Sequence, residues 1–177
     1  MKLLIASDLH GSAPAVRALL ERVEAEAPDR IALLGDLLYH GPRNDLPEGY
    51  APKEVIAMLN GLAERIVAVR GNCDAEVDQM VLDFPCMADY ALVEADGREL
   101  CLTHGHLDLS PRLRPGSAIL SGHTHVKTLD ERDGVLFVNP GSTSIPKDGC
   151  AGYATYEHGT FALKDMNGAT LQERSWS

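Results

Sequence analysis

The fold is decided by the N-terminal stretch MKLLIASDLHGSAPAVRALLERVEAEAPDRIALLGD, residues 1–36. The apolar run within Lys2–Ser7 predicts a short buried strand, and Ser12 is typical of the residue that caps a helix. Apolar residues then recur at helical spacing as far as Pro28, and a second apolar run begins at Ile31. Strand, helix and strand in this order predict a βαβ unit, with parallel strands and a right-handed crossover.

The rest of the chain predicts one more helix, at Lys53–Leu62, and a third strand of this kind at Ile66–Val69. The C-terminal half is different, because its apolar segments are short and separated by turn dipeptides. Asp96-Gly97 and Asp133-Gly134 predict two hairpins. A βαβ half and a β-rich half bury their apolar faces best as two sheets packed face to face, with helices outside. We therefore predict a single α/β domain over residues 1–177.

Candidate metal ligands follow the predicted strands, at the point where each strand ends. They are carboxylate, amide and imidazole side chains: Asp8, His10, Asp36, Asn72, His104, His123 and His125. Loops at the carboxyl ends of parallel strands converge on one edge of a sheet, so we expect these side chains to lie together. Seven ligands exceed what one metal with open positions needs, which favours two metals. Each fragment alone has an ordinary alternative, such as a capping loop at Asp8 or a turn at Asp36.

In combination, the motifs resemble the pattern of the calcineurin-like metallophosphoesterases. They are D-x-H at 8–10, G-D at 35–36, G-N-C-D at 71–74, T-H-G at 103–105 and G-H-T-H at 122–125. The resemblance covers roughly the first four fifths of the chain. Within the superfamily, the chain is similar to the small bacterial YfcE-type phosphodiesterases, which share Gly-Asn-Cys-Asp, the turn at 139–142 and the stretch 40–52. The resemblance implies a four-layer αββα sandwich, with two packed mixed β-sheets and outer helices.

The resemblance also implies how the ligands are shared between two divalent transition metals. The two sets are Asp8, His10 and His125 for the first metal, and Asn72, His104 and His123 for the second. Asp36 would bridge the metals at about 3.5–4 Å, close enough to clamp the attacking and leaving oxygens of a phosphate ester. These ligand types suit Mn²⁺, Fe²⁺, Co²⁺, Ni²⁺ or Zn²⁺. Manganese is the first choice because the family commonly uses it. The implied reaction is hydrolysis of a phosphodiester by in-line attack of a metal-bridging hydroxide.

Asp36, Asn72, Cys73 and Asp74 form the group that we assign to catalysis. The chain departs from the wider superfamily at Cys73, where most members have histidine. A thiol is a weak proton donor and carries no positive charge, so Cys73 does not replace that histidine, and its ordinary role is that of a loop filler. Asp74 is predicted to orient the loop or a ligand, or to cap the helix that follows it.

The loop that follows Asp36 supplies the predicted substrate-binding residues, His40 and Arg43. Arg43 could make a bidentate contact to phosphate, and the alternative is an ordinary surface loop. His104 is preferred to His106 as a ligand because it follows its strand directly, and His158 is expected to be an exposed turn residue. Only the resemblance places the turn at 139–142 near the site.

The net charge of −10, without a cluster of Lys and Arg, argues against a nucleic-acid polymer as the partner. We therefore expect a small-molecule phosphodiester as substrate. The four cysteines have no C-x-x-C spacing and are expected to be reduced thiols. The chain shows neither a signal peptide nor an apolar stretch long enough for a membrane span, so we expect a cytoplasmic protein without a membrane partner. Nothing in the sequence settles whether it forms a homo-oligomer.

Two alternatives to a phosphodiesterase remain at this level. The same fold serves eukaryotic retromer as a scaffold subunit, in which ligand positions have drifted, and Cys73 is a change of that kind. All seven ligand positions are intact here, which argues against a non-catalytic scaffold. A phosphomonoesterase or protein phosphatase is the second alternative.

Overall fold

Two β-sheets organise the structure, a computed structural model that describes residues 1–109 and 113–176. The elements of this part of the chain are β1 (Lys2–Ala6), α1 (Ala13–Glu26), β2 (Arg30–Leu33), α2 (Pro52–Asn60), β3 (Ile66–Ala68), α3 (Glu76–Gln79), β4 (Tyr90–Ala95), β5 (Arg98–Thr103), β6 (Ala118–Leu120), β7 (Lys127–Arg132), β8 (Val135–Pro140), β9 (Gly152–Glu157), β10 (Thr160–Asp165) and β11 (Thr170–Ser175). A six-stranded sheet has the order β11-β10-β9-β1-β2-β3, and a five-stranded sheet has the order β4-β5-β6-β8-β7. Both sheets are mixed, as predicted.

The N-terminal βαβ unit forms as the sequence predicts. Strand β1 pairs in parallel with β2, and β2 pairs in parallel with β3. The hydroxyl of Ser12 accepts a hydrogen bond from the Ala15 amide at 3.4 Å, which satisfies one of the free N–H groups of the first turn of α1. The second helix ends at Asn60, two residues before the predicted end, and a short 3₁₀ turn at Ala63–Arg65 follows it.

Alternation along β1 shows how the layers pack. Leu3 and Ile5 point into the apolar core between the two sheets, where they join Leu102 and Leu120 of the five-stranded sheet. Leu4 and Ala6 point to the opposite face, where they join the buried residues of α1 and α2. Successive side chains of a strand lie on opposite faces, so a buried strand needs apolar residues at every position. This explains the uninterrupted apolar run that predicted β1.

Both predicted hairpins are present. Asp96-Gly97 joins β4 to β5 and Asp133-Gly134 joins β7 to β8, with positive φ at all four residues, as a type I′ turn requires. A third hairpin of the same kind, at His158-Gly159, joins β9 to β10. The sequence predicted a turn at this dipeptide but did not identify the hairpin. His158 is the exposed turn residue that was expected. Strand β11 was also not predicted, because its exposed residues are mostly polar.

The four cysteines are all free thiols, as expected. None of the helices within the described residues has the length and apolar content that crossing a bilayer would require.

Candidate metal centre

The parallel strands of both sheets bring the predicted ligands to one edge. In the six-stranded sheet, Asp8 follows β1, Asp36 follows β2 and Asn72 follows β3. In the five-stranded sheet, His104 follows β5, and His123 and His125 follow β6. Because the two sheets pack face to face, the loops from both meet at this edge, and the polar residues collect above the apolar core.

Asp8 lies at the centre of the first predicted ligand set. Its Oδ1 atom is 3.2 Å from Nε2 of His125 and 3.6 Å from Nε2 of His10. The two imidazole Nε2 atoms are 3.3 Å apart. All three side chains are buried. The three atoms are close enough to contact one cation.

Backbone carbonyls fix the direction of three ligand imidazoles. The Nδ1 atoms of His10, His125 and His104 lie 2.9, 2.9 and 2.6 Å from the carbonyl oxygens of Tyr39, Ile145 and Leu34. A carbonyl can only accept, so in each ring Nδ1 carries the proton and donates it. In the neutral rings the lone pair is then on Nε2, which points to the centre. This is the usual arrangement by which a protein orients a metal-binding histidine.

The central atoms lack hydrogen-bond donors, and this fits a bound cation. With Nδ1 protonated, Nε2 of His10, Nε2 of His125 and Oδ1 of Asp8 are three acceptors in mutual contact. Oδ1 of Asp8 and Nε2 of His104 are buried and have no hydrogen-bond partner among the described residues. Buried acceptors without donors cost free energy unless a cation or protons satisfy them. The residues therefore fit a divalent metal.

Protons and metal compete for these atoms. Burial alone would raise the pKa of Asp8, but its contacts with His10 and His125 outweigh burial and lower the pKa. Burial would likewise lower the pKa of His10 and His104, but the neighbouring carboxylates raise both values. Metal binding requires neutral imidazoles, so it displaces protons and becomes weaker as the pH falls.

Asp36 connects the two predicted ligand sets. Its Oδ2 atom is 3.8 Å from Nε2 of His10, in the first set, and 3.4 Å from Nε2 of His104, in the second. Asp8, Asp36 and His104 form another group whose ligand atoms are close enough to hold one metal. The ring of His106 is farther out, with its centroid 5.5 Å from that of His104.

Asn72 and His123, the remaining members of the second set, line a cleft that opens over Asp36. The backbone amide of His123 donates a hydrogen bond to Oδ2 of Asp8 at 3.0 Å, and its ring centroid is 5.1 Å from that of His104. The structure thus brings all seven predicted ligands to one place.

The glycines of the motifs permit this close approach. A Cβ atom on Gly71 would lie 2.1 Å from Oδ1 of Asp36, and a Cβ atom on Gly122 would lie 1.8 Å from the hydroxyl of Ser7. Real Cβ atoms do not approach other atoms so closely. The glycines before Asn72 and His123 are therefore required by the packing of one loop on the next.

Five ligands adopt a backbone conformation that non-glycine residues rarely use. The φ angles are 57° at Asp8, 45° at His10, 54° at Asp36, 67° at His123 and 60° at His125. This left-handed conformation costs an L-residue roughly 1–2 kcal/mol. Strain of this kind is concentrated at functional sites.

Asp74 positions the Asp36 loop rather than capping α3. Its carboxylate accepts hydrogen bonds from the amides of Asp36, Leu37 and Gly71 at 2.9, 2.8 and 2.7 Å. Burial raises its pKa to about 6, although the amide donors act in the opposite direction. The residue that precedes α3 is Ala75, whose amide donates to Asp78, so the predicted alternative of a helix cap at Asp74 was wrong.

The turn at 139–142 and the residues after it hold the backbone of two loops that carry candidate ligands. The structure thus places this turn beside the centre, as the resemblance implies. The side-chain amide of Asn139 donates to the carbonyl oxygen of Gly122 at 2.8 Å, next to His123. The hydroxyl groups of Ser142 and Ser144 both donate to the carbonyl oxygen of Asp8, each at 2.8 Å. These bonds hold the backbone of two ligand loops.

The cleft above the ligands has a volume of about 430 Å³. Arg43 lines it, together with Asn44, Thr124 and Lys147, which no sequence motif indicated. The predicted substrate residue His40 is not part of this lining. Its ring instead makes edge contacts with Tyr39 and Tyr50, at centroid distances of 4.8 and 5.2 Å. A larger apolar groove of about 500 Å³ lies between α1 and α2, away from the ligands.

Cys73 lies at the base of the loop that carries Arg43. Its amide donates a hydrogen bond to Oδ1 of Asp36 at 2.8 Å, and a Cβ atom on Gly41 would lie 2.7 Å from its sulfur. Burial raises the pKa of the Cys73 thiol to about 12, and the Asp36 carboxylate adds to this shift. A thiol in these surroundings stays protonated near neutral pH, which does not suit a nucleophile.

Comparisons with known proteins agree with this geometry. Residues 1–161 match the Calcineurin-like phosphoesterase superfamily domain. The phosphodiesterase YfcE of Escherichia coli strain K12 is 43% identical over 175 residues, which cover 97% of this chain and 95% of that protein. The solved structure of YfcE, a phosphoesterase from E. coli, superposes with a TM-score of 0.96 at 41% identity, over 100% of both chains. Wild-type Vps29 of Entamoeba histolytica, solved in complex with zinc, has the same fold, with a TM-score of 0.66 at 16% identity over 100% of both chains.

Proposed function

The chain belongs to the calcineurin-like phosphoesterase superfamily, and from this premise we propose that it is a dinuclear metal-dependent phosphodiesterase that hydrolyses small phosphodiesters. One observation carries the metal dependence. Buried Nε2 and carboxylate oxygen atoms meet at 3.2 to 3.6 Å with no donor between them. The similarity to a phosphodiesterase over almost the whole chain supports the reaction.

The residues would divide the work between two metal positions. Asp8, His10 and His125 would hold the first metal, Asn72, His104 and His123 the second, and Asp36 both. When bound, divalent metals make water a stronger nucleophile near neutral pH and offset negative charge on phosphoryl oxygens. The mixed oxygen and nitrogen ligands suit Mn²⁺, Fe²⁺, Co²⁺, Ni²⁺ or Zn²⁺ alike, and membership of the superfamily makes Mn²⁺ our first choice.

The chain's own groups would bind and orient the substrate. Asp74 holds the Asp36 loop through three amides, so the carboxylate of Asp36 is fixed before substrate arrives. Arg43, on the cleft wall, would bind the non-bridging phosphate oxygens. Four free thiols support our proposal that the enzyme works in the cytoplasm.

A metal-reconstituted screen tests the proposed function. Protein loaded separately with each candidate metal would be assayed with small aryl phosphodiesters, the matching phosphomonoesters and a long duplex DNA. We expect the diesters to be turned over faster than the monoesters and the duplex. Faster hydrolysis of monoesters would replace the proposal with a phosphomonoesterase. Faster cleavage of the duplex would show that the acidic surface does not exclude nucleic acid.

Arg43→Ala is expected to lower kcat/KM for aryl diesters by about tenfold or more, because a charged hydrogen bond to the phosphate is lost. Metal content should not change, since Arg43 lines the cleft above the ligands. Steady-state kinetics and metal analysis check both points. Arg132→Ala is the matched control, because Arg132 lies on β7 and pairs with Asp130. Unchanged kinetics in Arg43→Ala would mean that Arg43 is an ordinary surface residue.

Cys73→Ala is expected to keep the metals and most activity towards activated diesters, because the protonated thiol acts mainly as a filler beside Gly41. Cys73→His is expected to extend turnover to esters with poorer leaving groups, since imidazole donates protons better than a thiol. Rates with a series of leaving groups measure both effects. Loss of all activity in Cys73→Ala, with metals retained, would contradict this account.

A further inference from the structure

Two cationic side chains at the cleft have no carboxylate partner among the residues that the structure describes. Arg43 and Lys147 both line the cleft, and both are exposed. Three other lysines in the described ranges are instead paired with carboxylates, Lys2 and Lys164 with Glu26 and Lys127 with Asp148. The described residues place no carboxylate within 4 Å of Arg43 or Lys147, so both charges are available to a ligand.

The backbone of Lys147 is held against a metal ligand. Its amide donates a hydrogen bond to the carbonyl oxygen of His125 at 3.0 Å, and the Nδ1 atom of His125 lies 2.9 Å from the carbonyl oxygen of Ile145. On the other side, Asp148 accepts hydrogen bonds from the amide and the ammonium group of Lys127 at 2.7 and 2.9 Å. The loop is therefore fixed on both sides of Lys147, while the side chain remains exposed.

Arg43 comes from the other sheet and from a different side of the cleft. Its loop follows β2 and contacts the Cys73 region through Gly41, next to the ligand Asn72. The side-chain amide of Asn44 donates to the carbonyl oxygen of His40 at 2.7 Å, which ties the loop to itself. Two anchored loops, one after β2 and one after β8, thus each bring a cation to the same cleft.

The negative charges of the cleft are buried at its base, whereas its positive charges are exposed. The carboxylates of Asp8 and Asp36 are buried at its base, 0% and 2% exposed, where they face the metal ligands. Arg43 and Lys147 are exposed, so the buried carboxylates do not neutralise them. A phosphodiester has one negative charge, on the phosphate that must reach the base. A diester whose organic groups are uncharged therefore offers only one anionic group to the two exposed cations, Arg43 and Lys147.

We propose that Lys147, on the same cleft as Arg43, forms a second anion subsite, and that the preferred substrates are phosphodiesters whose organic group carries a further negative charge, such as a second phosphate. The inference rests on the proposed phosphodiesterase function and names its substrate class. A cleft of about 430 Å³ is in the range that binds small molecules, so it can hold both anionic groups of one substrate.

A matched pair of substrates tests the subsite. One is the 4-nitrophenyl diester of thymidine 5′-phosphate, and the other is the same diester with an added 3′-phosphate. We expect wild-type kcat/KM to be about tenfold higher for the substrate with the added phosphate. In Lys147→Met this preference should fall to within about twofold, with little change for the diester that lacks the added phosphate. Lys147→Arg should keep the preference, and the preference should weaken as salt is raised.

Equilibrium binding gives a second readout. Non-hydrolysable phosphonate analogues of the two diesters would be titrated into metal-loaded protein by calorimetry. The analogue with the added phosphate should bind more tightly in wild type and not in Lys147→Met, at unchanged metal content. Lys53→Met is the control for the loss of one positive charge, because Lys53 is exposed on α2 and does not line the cleft. It should leave the preference intact.

The outcomes separate the two proposals. If wild type hydrolyses both diesters equally, or if Lys147→Met keeps the preference, the anion subsite is wrong and the phosphodiesterase function stands. If neither diester is hydrolysed with any metal, the proposed function fails. In that case, a preference of the phosphonate pair that depends on Lys147 would still support the subsite as a binding site.

Discussion

Asp36→Asn is expected to reduce kcat for phosphodiesters by at least about a thousandfold and to weaken both metal positions. The substitution keeps the shape of the side chain but removes the charge that contacts both ligand sets. Oδ2 of Asp36 is 3.8 Å from the His10 Nε2 atom and 3.4 Å from the His104 Nε2 atom. Metal analysis of reconstituted protein should approach two ions per chain in wild type and fall for both in the variant.

Two comparisons sharpen this prediction. His125→Ala should mainly empty the first position, because its Nε2 atom lies 3.2 Å from Oδ1 of Asp8. Asp133→Asn is the matched control, since Asp133 also has a positive φ, 51° against 54° at Asp36, but lies in the β7–β8 hairpin. It should leave metals and rates unchanged. A stoichiometry of one metal in fully loaded wild type would exclude the bridging role of Asp36.

Gly71→Ala is expected to lower the free energy of unfolding by about 2–4 kcal/mol and to disrupt metal binding. The new Cβ atom would lie 2.1 Å from Oδ1 and 2.4 Å from the amide nitrogen of Asp36, so the two loops must separate. Separation of the loops breaks the hydrogen bonds that the amides of Asp36 and Gly71 donate to the carboxylate of Asp74. Urea unfolding, with metal analysis of the folded protein, measures both effects.

Gly61→Ala provides the control for this steric prediction. Gly61 has an ordinary helical φ of −62°, and a Cβ atom there would lie 3.3 Å from its nearest neighbour, the carbonyl oxygen of Met58. Its effect on the free energy of unfolding should be below about 1 kcal/mol. Equal destabilisation by the two substitutions would show that the tight contact at Gly71 does not matter.

The positions of the candidate metal ligands were predictable because strand ends have a clear sequence signal. A buried strand is an uninterrupted apolar run, so a carboxylate that follows it within a few residues lies at the sheet edge, as Asp8 and Asp36 do. The sequence also predicted the sheets and two hairpins, since Asp-Gly between apolar runs specifies a type I′ turn. At His158-Gly159 the sequence predicted only a turn, because histidine is less typical of a type I′ hairpin than aspartate, although His158 adopts the required positive φ.

The cleft walls were harder to predict, because they depend on loop conformation. Lys147 lies more than twenty residues after the last ligand motif, and a hydrogen bond of its amide to the carbonyl oxygen of His125 helps to hold it at the cleft. His40 precedes Arg43 by three residues, but ring contacts with Tyr39 and Tyr50 occupy its side chain. Neither contact has a periodic pattern in the sequence. Strand β11 was missed because its exposed residues are mostly polar.

The left-handed backbone of five ligands has an evolutionary consequence. Replacing such a ligand with glycine or asparagine relaxes strain of roughly 1 kcal/mol at that position, while it destroys a metal contact. Backbone strain at these five positions therefore favours residues that hold a metal poorly or not at all. Selection for turnover must oppose this local preference, as it does wherever activity is kept at a cost in stability.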